Sequence, residues 1–231
     1  MTSTENDWSI CGMIACHNYW HYALYNVEKG NYTDAVGIYD SQIGPLAAKS
    51  GAMLDMVDAC SLLYRLQMEG VNVEDRYKDI QDVCRQHLDD HVLAFNDAHF
   101  MMACLGSEDK VASQKLLDSL KSFVKNGKGD NSSITKEVGL ALCEAFVAFD
   151  NGDYGKATDL VYPVRYKILT IGGSNAQRDV FNLFLIHSAM KSDKAEHNKL
   201  ARQLLLERKC LKQNSPMTDR LMAKAMVQHT G

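Results

Sequence analysis

The spacing of the apolar residues constrains this chain most, because it follows a helical period over almost the whole length. Apolar side chains recur at steps of three and four residues, as on one face of an α-helix. One such stripe contains Ile10, Ile14, His17, His21 and Leu24, and it predicts contact with the next helix. The pattern predicts an all-α fold. Residues 168–171 are the one segment for which a short strand is the alternative.

Glycine followed by a polar residue marks several helix ends. Gly30 precedes Asn31 and Gly152 precedes Asp153, which suits a left-handed glycine at a C-terminus and a capping side chain at the next N-terminus. Ser174 with Gln177 predicts a capping box. Together these signals predict helices over residues 9–29, 32–48, 52–69, 73–89, 91–105, 108–125, 134–150, 154–170, 175–190, 196–210 and 216–229.

The predicted helices pair into about five helix–turn–helix hairpins plus a C-terminal helix. Turn positions at Gly30, Gly70, Gly106 and Gly152 are 36 to 46 residues apart, which is typical of helical solenoid repeats. We expect one repeat domain over residues 1–231, with a flexible N-terminus at 1–8 and a flexible linker at 126–133.

Two of the turns resemble the tetratricopeptide repeat (TPR). In that repeat, small residues let two helices approach closely, glycine makes the turn, and the aromatic residue after it packs back into the hairpin. The matching, repeat-defining residues are Ala23, Gly30, Tyr32, Ala35, Ala145, Gly152, Tyr154 and Ala157. The resemblance implies a TPR-like helical-repeat solenoid, although the hairpins between these two are degenerate.

Longer strings are similar to the tetratricopeptide repeat protein 38 family. They cover residues 17–25, 28–30, 61–70, 95–100 and 172–181. Members of that family are longer, so the chain resembles their C-terminal half. The resemblance implies an α-helical repeat protein of undefined biochemical role, and it brings no catalytic residues and no cofactor.

Composition narrows the function classes. The chain has 231 residues, of which 46% are hydrophobic and 23% charged, and its net charge is −4. Such a chain folds, and it lacks the basic field that nucleic acid or an anionic membrane requires. Seven cysteines without a Cys-x-x-Cys pair predict reduced thiols and a cytoplasmic protein. Residues 8–27 carry no charge, but their histidines and asparagines favour a buried helix over a membrane span.

The inner wall of a TPR array is lined by residues that precede each turn glycine on the first helix of a hairpin. This rule predicts a partner-binding groove of His17, Trp20, Leu24, Cys60, Tyr64, Gln67, Asn96, Phe100, Leu142, Phe146 and Phe149. The set contains no lysine or arginine, which argues against a clamp for a peptide carboxylate. An apolar or aromatic peptide, or the missing N-terminal half of a longer family member, is the expected partner.

Three polar groups need an interpretation of their own. His17 and His21 have the spacing of a zinc-binding pair, but packing histidines and a ligand groove are the alternatives, and we predict no metal. Asn96, Asp97 and His99 form either a hydrogen-bonded strut or a recognition patch. A charged stripe is expected to be solvated, with an ordinary surface pair between its last two members: Asp55, Asp58, Arg65 and Glu69.

Two further motifs favour structure over chemistry. The segment 172–176 has the outline of a serine nucleophile elbow, but helix capping explains the same residues. His87 and His91 are four residues apart, yet Asp89 and Asp90 indicate a helix break between them. We therefore predict a non-catalytic TPR-like interaction or scaffold module. The alternative is an enzyme or metal-binding protein that uses a polar pocket of His17, His21, Asn96 and His99, and a third hypothesis is a chiefly structural half.

Overall fold

A computed structural model describes residues 2–227, and every regular element among them is helical. The α-helices are α1 Glu5–Trp8, α2 Gly12–Lys29, α3 Tyr32–Ile38, α4 Gly44–Ser50, α5 Met53–Met68, α6 Tyr77–Cys84, α7 Ala94–Gly106, α8 Lys110–Asn126, α9 Asp130–Ile134, α10 Leu140–Asp150, α11 Tyr154–Val161, α12 Asn175–Lys191, α13 Ala195–Leu211 and α14 Pro216–Val227. The π-helical turns Tyr39–Ile43 and Thr135–Gly139 make α3–α4 and α9–α10 continuous rods. The all-α prediction is confirmed; residues 228–229 of the predicted last helix lie outside the described residues.

The two hairpins with the TPR pattern are formed by α2–α3 and α10–α11. Gly30 and Gly152 have φ values of 83° and 80°, which glycine adopts without steric cost. The alanines of the pattern are fully buried: Ala23, Ala35, Ala145 and Ala157. Asn31 begins its helix without a capping hydrogen bond from its side chain, whereas the Asp153 carboxylate accepts from the Lys156 amide at 3.0 Å.

Helices distant in sequence also meet, which an open solenoid does not require, since its repeats contact only their neighbours. Helix α12 packs on α5, and α14 packs on α2. The last contact is polar, because the Glu28 carboxylate accepts from the Ser215 hydroxyl at 2.6 Å and Arg220 donates to the Glu28 carbonyl at 2.9 Å. The aromatic part of the core, Trp20, Phe146, Phe181 and Phe184, is fully buried among these helices.

Helix α2 presents a different face to the core from the one predicted. Ile10 lies in the turn before α2, Ile14 lies in its first turn, and both are exposed. The buried side chains of α2 are Ala15, Cys16, Tyr19, Trp20, Ala23, Asn26 and Val27. Burying Tyr19 and Trp20 removes more apolar surface from water than burying the two isoleucines. Histidines 17 and 21 consequently lie at the edge of the helix contact and are half-buried.

The bounds of the helical segments differ from the predicted ones in several places. Helix α9 begins at Asp130, inside the predicted linker, and its Asn131 side chain accepts from the Ala94 amide at 3.1 Å. Residues 2–4 form a 3-10 turn ahead of α1, within the N-terminus predicted as flexible. Residues 168–171 form a 3-10 helix and not a strand. Helix α11 ends before Pro163, which lacks the amide that would continue it.

Candidate functional site

Helix α5 carries a polar cluster into the interior. Asp55, Asp58 and Arg65 are buried, with 2%, 0% and 3% of their surface exposed. The prediction of a solvated stripe is therefore wrong. Helix α2 packs against one side of α5 and α12 against another, so these polar groups must bond to neighbouring helices instead of water.

The Asp58 carboxylate joins three helices. Its Oδ2 lies 2.6 Å from His17 Nδ1 on α2, and its Oδ1 accepts from Gln177 Nε2 on α12 at 2.9 Å. The hydrogen bond to Asp58 raises the pKa of His17, and this outweighs the opposing effect of burial. The Asp58–His17 pair thus holds a histidine in a fixed orientation at the edge of the core.

His17 and His21 face each other across one turn of α2. Their Nε2 atoms are 3.2 Å apart, and the two rings meet edge to face. His17 also stacks on Trp20, with ring centroids 5.3 Å apart. Burial, and secondly the positive charge of His17, lower the pKa of His21. The His17 Nε2 atom therefore points at another imidazole and not at a hydroxyl or thiol that it could activate.

Arg65 donates hydrogen bonds to backbone carbonyl oxygens and does not pair with Glu69, the partner that the sequence predicts. Its Nη2 donates to the Ala176 and Gln177 carbonyls at 2.8 and 3.3 Å, and its guanidinium lies 5.6 Å from the Trp20 ring centroid. Burial lowers the pKa of Arg65 to about 10. The side chain therefore fastens the first turn of α12 to α5.

Glu69 instead contacts helices from the N-terminal and the C-terminal parts of the chain. Its carboxylate accepts from the Tyr32 hydroxyl on α3, and it lies 3.5 Å from His187 on α12 and 3.6 Å from Arg220 on α14. Burial raises the pKa of Glu69, but the interactions with His187 and Tyr32 outweigh it and lower the pKa to about 2. The Glu69 carboxylate therefore links α5 to α3, α12 and α14.

The glycine-rich segment ahead of α12 has a structural role. The Ser174 hydroxyl accepts from the Gln177 amide at 3.2 Å, and the Gln177 side chain accepts from the Ser174 amide at 2.9 Å. This is the predicted capping box. A 3-10 helix precedes the segment, whereas a nucleophile elbow follows a strand. A Cβ atom on Gly173 would stand 2.6 Å from the Phe95 ring, so close packing also requires glycine there.

The polar run on α7 divides between two environments. Asp97 Oδ1 lies 3.2 Å from His91 Nδ1, and His91 Nε2 lies 2.7 Å from the Ser119 hydroxyl on α8, as expected of a strut. His99 is fully buried, its Nδ1 donates to the Phe95 carbonyl at 2.7 Å, and burial lowers its pKa to about 4. His87 pairs with Asp90 at 2.7 Å, apart from His91.

The four residues of the alternative polar pocket are not joined. Within residues 2–227, the recorded hydrogen bonds and ring contacts of His99 reach Phe95 and Phe181, not His17 or His21. Asn96 is half-buried on the same helix as His99. His17 and His21 bond instead with Asp58 and with each other, so no recorded hydrogen bond or ring contact of residues 2–227 joins the predicted pocket into one group.

The predicted groove is mostly interior. Six of its residues are buried: Trp20, Cys60, Tyr64, Phe100, Leu142 and Phe146. Helix α12 covers part of this wall, because Phe184 packs on Phe146 with ring centroids 4.6 Å apart. His17, Leu24 and Asn96 are half-buried. A depression of about 220 Å³ remains, and four predicted residues contribute to it: Tyr64, Gln67, Phe146 and Phe149.

A larger depression, of about 370 Å³, lies where the sequence indicated none. It is bordered by residues 165–169, the outer face of α12 and helix α13. Its floor contains buried Leu185, Ile186 and Leu204, while Tyr166, Leu169 and Leu211 stand exposed at its rim by 73%, 66% and 86%. We call this surface the α12–α13 groove. Its apolar residues come from segments that are distant in sequence, so periodicity alone does not reveal it.

The charges of the α12–α13 groove are only partly balanced. Arg165 pairs with Glu207 at 3.2 Å, and Arg208 forms two bonds to Asp179, at 2.5 and 2.9 Å. Arg178 donates to the Gly172 carbonyl at 3.1 Å and to the Asn175 side chain at 2.6 Å, both of which are neutral. Lys212 adds a fourth cation. The groove therefore carries more positive than negative charge.

No protein-family model and no solved structure matches the chain.

The remaining chemistry of the described residues is sparse. Residues 2–227 contain no group of three or more histidine, cysteine or acidic side chains arranged to hold a metal ion. None of their helices combines the length and apolar character needed to cross a membrane. All seven cysteines are free thiols, and burial raises the pKa of Cys104 to about 12.

Proposed function

We propose that this chain is a non-catalytic, TPR-like interaction module whose protein partner binds in the α12–α13 groove. The observation that carries the proposal is the group of exposed apolar side chains at the groove rim, Tyr166, Leu169 and Leu211. Neighbouring exposed apolar residues around a concavity are typical of interaction sites. The α2–α3 and α10–α11 hairpins support the TPR-like class, as does the resemblance of the longer strings.

The charge of the groove indicates the chemistry of the partner. Four cationic side chains and two carboxylates line it, although the whole chain has a net charge of −4. Two of the cations, Arg178 and Lys212, are not paired with a carboxylate within the described residues. An acidic partner is therefore attracted to this surface and away from the rest of the molecule.

The shape of the groove indicates the form of the partner. It follows α12 from Asn175 to Ile186, which is about three helical turns or about 16 Å. A helix of similar length can place apolar residues at three- and four-residue steps against the exposed rim residues Tyr166, Leu169 and Leu211, above the buried floor. Asp and Glu at its edges would then meet Arg178 and Lys212. We propose an acidic amphipathic helix as the ligand.

The polar cluster around Asp58 supports a role without catalysis. His17 is oriented by Asp58 as a general base is, yet its Nε2 meets His21 at 3.2 Å. The Ser174 hydroxyl is used as a helix cap. Free, mostly buried thiols favour a reducing compartment, and we propose a cytoplasmic location on that basis.

Selection of peptides from a displayed helical library tests this function. The full chain serves as bait, and Leu211→Asp serves for counter-selection. We expect enriched peptides with an apolar stripe flanked by Asp or Glu, at least tenfold weaker binding to Leu211→Asp, and weaker binding at high salt. Leu206→Asp is the matched control, because Leu206 is exposed on the same helix but outside the groove. Peptides that bind all three proteins equally would contradict the proposal.

A further inference from the structure

His17 and His21 form a preorganised pair of nitrogen donors. They are one helical turn apart on α2, and their Nε2 atoms converge to 3.2 Å. His17 keeps 28% of its side chain exposed, and His21 is also half-buried, so the pair lies at the edge of the core and not inside it. Nothing in the interaction module proposed above uses these two nitrogens.

The spacing of the two nitrogens suits one metal ion. Zinc binds imidazole nitrogen at about 2.0–2.1 Å in tetrahedral geometry, which places two such nitrogens about 3.3–3.4 Å apart. The observed 3.2 Å is close to that separation. An ion could therefore replace the hydrogen bond between the rings with little movement of α2.

The surroundings of His17 resemble the outer shell of a metal site. Asp58 accepts from His17 Nδ1 at 2.6 Å, so a neutral His17 carries its lone pair on Nε2, the atom that contacts His21 and that would coordinate an ion in place of that contact. Gln177 holds the other carboxylate oxygen at 2.9 Å, and Asp58 is fully buried, so the orientation of the imidazole is fixed from behind. A carboxylate behind a ligating histidine is a common feature of zinc sites.

We propose that His17 and His21 bind one divalent transition-metal cation, with Asp58 as the residue that positions His17. Two imidazoles favour zinc, copper or nickel over magnesium or calcium. The protein supplies two ligands, so the remaining positions are open to water or to a donor from a partner. The site is thus exchangeable, and Asn96 and His99, which the sequence suggested as members of one pocket, take no part in it.

Calorimetric titration of Zn²⁺ and Ni²⁺ into the full chain tests the site. The background carries Cys11→Ser and Cys210→Ser, because these two exposed thiols would also bind zinc. We expect one equivalent to bind, and His21→Ala to abolish binding while the protein stays folded by circular dichroism. Asp58→Asn is expected to weaken binding about 10- to 100-fold. His87→Ala, which removes a histidine elsewhere, should leave it unchanged.

A second measurement covers the case in which Asp58→Asn fails to fold. NMR of the imidazole Hε1 protons during Ni²⁺ titration should broaden the signals of His17 and His21 first. Binding should weaken as pH falls, since protons compete for both nitrogens. Equal stoichiometric binding by the His17→Ala and His21→Ala proteins, or no binding by the parent, would overturn the proposal. These outcomes do not depend on the α12–α13 groove.

Discussion

The polar cluster around Asp58 and the α12–α13 groove depart from the usual distribution of residues in opposite directions. The cluster places charged groups, Asp58 and Arg65, in the interior, whereas the groove leaves Leu169 and Leu211 in solvent. A buried charge destabilises the fold unless its partners are in place, but an exposed leucine costs the folded state little. Changes in the cluster should therefore affect stability, and changes in the groove should affect binding alone.

The largest effect is expected from Asp58→Ala. This change leaves His17 and Gln177 without their shared acceptor inside the protein, so we expect the free energy of unfolding to fall by about 3–5 kcal/mol. Urea denaturation followed by circular dichroism measures it.

Asp40→Ala is a matched control for that experiment. Asp40 pairs with Arg76 at 2.6 Å, the same separation as Asp58 and His17, but Asp40 is exposed. An exposed pair of this kind contributes about 0–1 kcal/mol. Similar losses for the two variants would show that burial does not distinguish the cluster from the surface, and the comparison would fail.

The next effect concerns pH and His99. Burial lowers the pKa of His99 from 6.5 to about 4, so between these values the unfolded chain binds a proton that the folded chain excludes. Stability contributed by neutral His99 is therefore present above pH 6.5 and is lost as pH falls towards 4. The full difference corresponds to on the order of 3 kcal/mol.

A His99→Leu variant isolates this contribution, because other titrating groups remain in both proteins. Unfolding free energies measured between pH 7 and pH 4 should fall more steeply for the parent than for the variant. Parallel curves would mean that His99 is protonated or solvated in the folded protein. The interior would then accept a charge without the hydrogen-bond partners that Asp58 and Arg65 have.

The sequence predicts what depends on local interactions. Helical periodicity gives the all-α fold, and Ser174 with Gln177 gives the start of α12, because a capping box involves residues only three apart. The sites depend on distant contacts. Asp58 is buried because Gln177, 119 residues away, comes to lie against it. A charged side chain on a helix looks the same in sequence whether water or another helix covers it.

The predicted partner-binding groove also depends on contacts between residues that are distant in sequence. The buried part of the predicted inner wall, including Trp20 and Phe146, is covered because α12 and α14 fold back onto α5 and α2. Glu69 stabilises this packing of α12 and α14 through His187 and Arg220. No local pattern predicts this packing, so the predicted open groove is largely core, and the α12–α13 groove lies on the outer face of α12.

The smallest effect on stability is expected from Leu211→Asp. Leu211 is near the C-terminal end of α13 with 86% of its surface exposed, so its loss removes little buried area. We expect the free energy of unfolding to change by at most about 0.5 kcal/mol. Thermal and urea denaturation measure this, beside the peptide-binding assay. A loss above 2 kcal/mol would mean that Leu211 is covered in solution, and the groove would then be part of the folded interior and not a site for a partner.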